Sequence, residues 1–245
     1  MEDMKLTFEL PTRLSDITVD EYQRYMTVVE GLEKDENGDY VRESENFLRS
    51  KMLQIFCGMD LKELNNIPLV VFDSAIEQIN FCLNENTPLQ KTFVIDGKEF
   101  GFIPDLYKIS FGEYVDIDSY MKDWKTMHNV MAILFRPIIN KLGPFYEIEP
   151  YEGTEKYAEL MKKVPVDVLL GAMLFFYRLG IKLAKNTAIY SLKDYQARAE
   201  MDTSLEQKFL DKHGVGTSQY MQSLKEIFVD FMRLPSSDLR SALLG

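Results

Sequence analysis

Residues 91–137 read KTFVIDGKEFGFIPDLYKISFGEYVDIDSYMKDWKTMHNVMAILFRP, and this stretch decides the fold class. Two short apolar runs flank Asp96-Gly97, the dipeptide that best suits a tight type I′ turn, so Thr92 to Phe102 is expected to be a β-hairpin. Pro104 ends the second strand, since proline has no N–H to contribute to a ladder. Ser110 and Glu113 then stand at capping-box spacing, where each side chain satisfies a backbone N–H left free at a helix start. The helical sequence beyond carries the only Trp, Trp124, and one of the two His residues, His128. Trp124, Met131 and Phe135 are expected to anchor the core. The fold class that follows is α+β, mainly α-helical, with short strands packed with a helical core.

Working outward, Lys5 to Leu10 alternates and ends at Pro11, as a short strand would. Thr18 and Glu21 form another capping box, opening a helix from Val19 to about Leu32 with Tyr22, Tyr25, Met26 and Val29 on one face. Residues 34–39 read as a polar turn. A second helix is expected from Glu43 to Cys57, burying Phe47, Met52, Ile55 and Phe56. Pro68 suits the first turn of a third helix ending near Leu83. Beyond Pro137 the chain reads as irregular to Gly153, with Phe145 to Pro150 extended. Thr154 caps a short helix over 155–163. Pro165 opens an apolar helix to about Lys185, with Leu169, Met173, Phe176 and Leu183 toward the core and Gly171 and Gly180 allowing close packing. The remainder is polar and helix-prone, broken at Gly214 and Gly216, with an amphipathic helix from Thr217 to Leu234.

The two capping boxes share the pattern Leu-x-x-Ile-[Thr/Ser]-apolar-x-Glu-Tyr, at Leu14–Tyr22 and at Leu106–Tyr114. Each follows a Pro-terminated segment and precedes amphipathic helical sequence. A diverged duplication of a strand–cap–helix–helix unit would read this way, and so would two independent helix starts. Three regions result: residues 1–90 with the N-terminal strand and helices, 91–185 with the hairpin and core helices, and 186–245 as a helical segment suited to binding a partner.

A chain of 245 residues with 46% apolar and 27% charged residues can bury a core without staples. Its 39 acidic and 28 basic residues give a formal charge of −11. Phosphate contacts need a concentrated basic face, so direct sequence-specific nucleic-acid binding is not expected. Cys57 and Cys82, the only cysteines, sit in apolar company and read as reduced core thiols. The N-terminus lacks a signal-peptide pattern, and the longest apolar run, Val168 to Tyr177, is about half a bilayer span, so no membrane association is expected.

Chemistry is equally sparse. His128 and His213 have no spaced ligand partners, and neither Cys-x-x-Cys nor His-Glu-x-x-His occurs. Gly214-Val-Gly216-Thr217-Ser218 lacks the lysine and the preceding strand of a phosphate loop, so it reads as a helix stop. The acidic pairs Asp116/Asp118, Glu147/Glu149 and Glu152/Glu155 read as solvated faces rather than acid–base machinery. No catalytic, cofactor-binding or metal site is assigned, and the chain reads as non-enzymatic. Its 13 Tyr, 16 Phe and 13 Met are residue types enriched at interface cores as well as in ordinary cores.

The run Phe111–Tyr120, then Trp124, then Met131–Pro137 forms one constellation. Tyr151–Met161 followed by Val166–Ala172 and Phe175–Tyr177 extends it. Together they resemble an uncharacterised protein family of tailed bacteriophages, including crAss-like phages, over roughly residues 91–180. The resemblance implies a virion or assembly protein in the virion or the infected host cytoplasm. One form is a structural component of the portal or tail region, assembled as a homo-oligomeric ring with other phage portal or tail proteins as partners. The other is a tail-assembly chaperone that binds tail subunits and is absent from the mature particle. The acidic charge suits a lumen that must not grip passing DNA, and suits a soluble chaperone equally.

Overall fold

The hairpin forms where its turn chemistry puts it. β1 (Thr92–Ile95) and β2 (Lys98–Phe102) pair antiparallel, closing with Ile95 opposite Lys98. Asp96 at φ +47° and Gly97 at φ +74° supply the positive φ that a type I′ turn needs at both central positions. The structure, a computed structural model, describes residues 8–32, 42–105 and 109–176. Within it β2 pairs with β3 (Phe135–Leu142), and β3 with β4 (Phe145–Ile148), making a four-stranded antiparallel sheet in the order β1-β2-β3-β4. Gly143 at φ +59° opens the second turn. Proline cannot adopt positive φ at Pro144, so this turn is type II′, with glycine at its first central position.

Side chains alternate across a strand, so the register assigns each residue a face. Phe93, Phe100, Phe102 and Phe135 share one face, where Phe93 stacks on Phe100 at 5.6 Å and meets Phe135 at 5.2 Å. Phe135 also meets Phe102 edge-on at 5.2 Å. This cluster is the sheet's half of the core. The other face carries Glu99, Gly101, Arg136 and Tyr146.

The helices supply the other half. α1 (Val19–Glu30) starts at the expected box: Thr18 N–H donates to Glu21 Oε2 at 2.8 Å, and Glu21 N–H donates to Thr18 Oγ1 at 3.2 Å. Its buried face is the expected one, with Tyr22 against Trp124 and Tyr25 against Phe56. The segment around Pro165 clamps its start, since Val19 N–H donates to Val164 O and Val166 N–H to Ile17 O. α2 (Arg42–Phe56), α3 (Leu61–Asn66) and α4 (Leu69–Leu83) follow, with α2 packing on α1 and on α4. α5 (Phe111–Tyr120) is capped by Ser110 and Glu113 through the same pair of bonds as α1. Ser110→Ala should lower stability by about 1 kcal/mol through the lost cap; a melting curve identical to the parent's would refute that role.

A 3-10 turn at Trp124–Thr126 leads into α6 (Met127–Leu134), which passes into β3 without a loop. Trp124, Met131 and Phe135 are all buried, as expected of core anchors. α7 (Ala158–Met161) is a single short turn after buried Thr154, and a further helix covers 166–176. Leu169, Met173 and Phe176 on it are buried. The fold is therefore α+β and mainly helical, as expected.

Several expectations need correction. Residues 8–10 are not in a strand; each capping box is followed by two helices, α1 and α2 after Thr18 and α5 and α6 after Ser110. In α2 the buried side is Leu48, Met52, Leu53 and Phe56, whereas Phe47 is exposed and Ile55 half-buried. Beyond Pro137 the chain is not irregular up to Leu142, where it completes β3; the extended stretch expected from Phe145 to Pro150 is present as β4 over Phe145–Ile148. The short helix after Thr154 spans only Ala158–Met161.

Residues 1–90 and 91–185 also do not separate, because Met1–Leu170 is one unit and Gly171–Gly245 a second. Trp124 and α6 pack on α1 across the expected boundary at 90/91. Outside the described residues lie Lys5–Thr7, the turn at 34–39, Leu106, Gly180, Leu183, His213, the Gly214–Ser218 segment and the whole of 186–245.

Candidate interaction site

β3 is eight residues long, and only its first half is covered. Phe135 and Arg136 are buried, Pro137 and Ile138 half-buried, and Ile139 to Leu142 exposed. The β3–β4 hairpin thus projects from the body with a cross-strand pair at its tip, Leu142 opposite Phe145, which are 80% and 77% exposed. Ile139, at the irregularity between Ile138 and Asn140, adds a third exposed apolar side chain. At the opposite edge of the sheet, Val94 of β1 is 70% exposed. Large apolar side chains held out on ordered backbone, rather than scattered singly, mark surfaces that meet another molecule.

The projecting strands are braced on their other face. A Cβ at Gly101 would lie 2.5 Å from Tyr146 Cε2 and 3.0 Å from Ile138 Cγ1, so the Tyr146 ring occupies the space a side chain there would need. Tyr146 O–H donates to Phe102 O at 2.8 Å, fixing the ring there, and burial pushes its phenol pKa up. Gly101→Ala must displace this ring and should destabilise by roughly 1–3 kcal/mol, the usual penalty of overpacking. Chemical denaturation would read it, and an unchanged midpoint would mean that Tyr146 is free to swing away. Lys141 Nζ–Glu99 Oε1, at 2.5 Å, ties the hairpin to β2 at the surface.

Arg136, opposite Gly101 on the same face, belongs to a buried ion pair. Arg136 Nη2 lies 2.7 Å from Glu113 Oε1, and the two side chains are only 9% and 7% exposed. Glu113 Oε2 meanwhile accepts from Ser110 N–H at 2.7 Å, so one carboxylate caps α5 and neutralises β3. The Arg136 guanidinium also faces the Tyr151 ring at 5.7 Å, and Tyr151 O–H donates to Asp116 Oδ2 at 2.5 Å. Burial, followed by that bond to a carboxylate, raises the Tyr151 pKa.

Two helices expose further apolar residues. Val70 and Phe81 of α4 are eleven positions apart, close to three whole turns, and so share one stripe, with Leu69 beside it. On α5, Phe111 and Val115 are an exposed i, i+4 pair.

The residues singled out in the sequence lie elsewhere. His128 is half-buried beside Gln23, whose carboxamide reaches His128 Nδ1 at 3.1 Å and donates to Trp124 O at 2.5 Å. Burial, then nearby Lys162, lowers the His128 pKa. Cys57 and Cys82 are both free thiols; burial pushes Cys57 up to about 11, and Cys82 is raised for the same reason. Asp116 is held by Tyr151, and Asp118 is paired with Lys122 at 2.9 Å. Glu149 accepts from Lys156 and from Tyr157 O–H, and those bonds lower its pKa. Among the described residues none of these groups hydrogen-bonds or pairs with another of them. Among the described residues no cluster of His, Cys, Asp and Glu is arranged to hold a metal ion, and no helix is long and apolar enough to cross a membrane.

Of the exposed apolar surfaces, the hairpin tip was missed in the sequence. Gly143-Pro144 between Ile-Asn-Lys-Leu and Phe-Tyr-Glu-Ile was the available signal, a glycine-led turn between short β-prone runs. The chain matches no protein-family model, no curated protein and no solved structure.

Proposed function

We propose that this chain is a non-enzymatic structural protein of the portal or tail region of a tailed phage, acting through protein–protein contacts in a ring of identical copies. The observation that carries the contact role is the set of large apolar side chains displayed on ordered backbone at the hairpin tip, on α4 and on α5. A side chain such as Phe145 loses roughly 25 cal/mol per Å² of favourable burial by standing in water, so several together mark a surface meant to be covered. The phage setting rests on the sequence resemblance of residues 91–180. The acidic charge of −11 fits a surface that does not retain passing DNA.

Mass spectrometry of purified phage particles, paired with the solution mass of the recombinant chain, tests the reading. Many copies per particle and a multimeric mass are the expected results. Absence from particles, with binding to a tail subunit in infected cells, would replace it with the assembly-chaperone role. The partners on this reading are further copies of the chain and neighbouring portal or tail proteins.

A further inference from the structure

β1 and β4 are both edge strands of one sheet, both four residues long. In a hairpin with a two-residue turn, the residues flanking the turn exchange hydrogen bonds, and the pattern alternates outward along each strand. Ile95 and Phe93 therefore turn their backbone groups inward to β2, and the Phe102 N–H to Lys91 O bond at 2.8 Å continues that alternation. Thr92 and Val94 face outward. By the same count from Leu142–Phe145, Tyr146 and Ile148 face outward from β4. Among the described residues nothing bonds these outward groups. β1 also lacks the devices that blunt an edge: Thr-Phe-Val-Ile contains no charge, proline or bulge.

We infer that copies of the chain join head to tail, β4 of one pairing antiparallel with β1 of the next to extend the sheet. This rests on the reading of the protein as a ring of copies and specifies the joint. An even number of antiparallel strands makes the two edges run in opposite directions. A β1 from an identically oriented copy is therefore already antiparallel to β4. Full overlap sets Thr92 against Ile148, Phe93 against Glu147, Val94 against Tyr146 and Ile95 against Phe145. Every pair then shares a sheet face, the outward groups of Val94 meet those of Tyr146, and those of Thr92 meet those of Ile148. Val94–Tyr146 and Ile95–Phe145 are aromatic–β-branched pairs, a favoured cross-strand combination. The exposure of Val94 and Phe145 in the single chain is then explained by the missing neighbour.

Pairing β1 with β1 of a second copy about a two-fold axis fits less well. Matching faces requires register sums that are even, and a four-residue strand then overlaps in only three positions around Phe93 or Val94. The head-to-tail joint keeps all four, and a head-to-tail contact generates rings or filaments rather than dimers.

Val94→Pro removes one outward donor and leaves the β1–β2 ladder intact, as proline is tolerated on an edge. Sedimentation of the full chain should shift from the assembled species to monomer, with a melting temperature near the parent's. Thr92→Cys with Ile148→Cys places thiols at a hydrogen-bonded pair, where Cα atoms about 5.5 Å apart suit a disulfide. Oxidised, this double variant should give a ladder of covalent multimers on a denaturing gel, with neither single variant doing so. The disulfide pair decides the matter if the proline variant fails to fold.

Self-cross-linking by Val94→Cys alone, or by Thr92→Cys with Val94→Cys, would overturn the joint in favour of a two-fold one centred on Val94 or on Phe93. A parent that assembles while Val94→Pro assembles equally well and the cysteine pair stays unlinked would overturn the joint and leave the ring reading standing. A parent that is monomeric at every concentration would overturn both.

Discussion

Replacing Arg136 by Met should destabilise the protein by roughly 3–5 kcal/mol, the penalty for stripping one partner from a buried ion pair. Glu113 would be left 7% exposed on its side chain with no cation beside it. The pair itself is not strongly stabilising. Arg136 Nε is buried without a hydrogen-bond partner, and desolvating two charges offsets most of what their attraction returns. The loss in Arg136→Met therefore comes from the orphaned carboxylate and not from a strong bond forgone. Arg136→Met combined with Glu113→Gln should recover most of the stability, because a neutral amide can keep accepting from Ser110 N–H. Urea denaturation of the two singles and the double gives the coupling directly. If Arg136→Met alone lay within about 1 kcal/mol of the parent, the site would be wetter than its geometry implies.

What the residues disclosed in advance is what local chemistry decides. The Asp96-Gly97 turn and the boxes at Thr18 and Ser110 each settle within a few positions of sequence, and all three formed as read. α3 obeys the same rule and was overlooked: Asp60 and Glu63 make a third box, with Lys62 N–H and Glu63 N–H both donating to Asp60 Oδ1. In α2 Met52 and Phe56 are buried as expected, but Leu48 and Leu53 take the places expected of Phe47 and Ile55, since all fit a helical period and only packing chooses.

β3 was hidden by its proline. Pro137 opposes Phe100, whose own backbone groups face β1, so the Phe100–Pro137 pair exchanges no hydrogen bonds. Its nitrogen faces the side where β4 has already ended at Ile148, and its carbonyl still accepts from Glu149 N–H at 2.9 Å. A proline in a central strand costs little at that one position, and nothing local announces it. The Arg136–Glu113 pair was equally unreadable. Its members come from a strand and a helix start, and only the folded sheet brings them together.

Phe135→Ala should cost about 3–5 kcal/mol, the range for truncating a buried aromatic. This residue is fully buried at the point where α6 becomes β3, and its ring meets both Phe93 and Phe102. Its neighbour Leu134 accepts from Ile103 N–H at 2.9 Å, so the helix end, the strand start and β2 are joined within two residues. A cavity there removes aromatic contacts from two strands and loosens the helix-to-strand transition together. Phe145→Ala is the control of identical chemistry. Phe145 lies on the same sheet face but beyond the body at the hairpin tip, so its removal should change the stability of the single chain by less than about 0.5 kcal/mol. The same substitution should weaken self-assembly, since Phe145 meets Ile95 in the proposed joint. Denaturation midpoints at a concentration where the chain is monomeric separate the two effects. Equal destabilisation by both variants would show that the hairpin tip folds back onto the core, and would remove the surface on which the assembly reading depends.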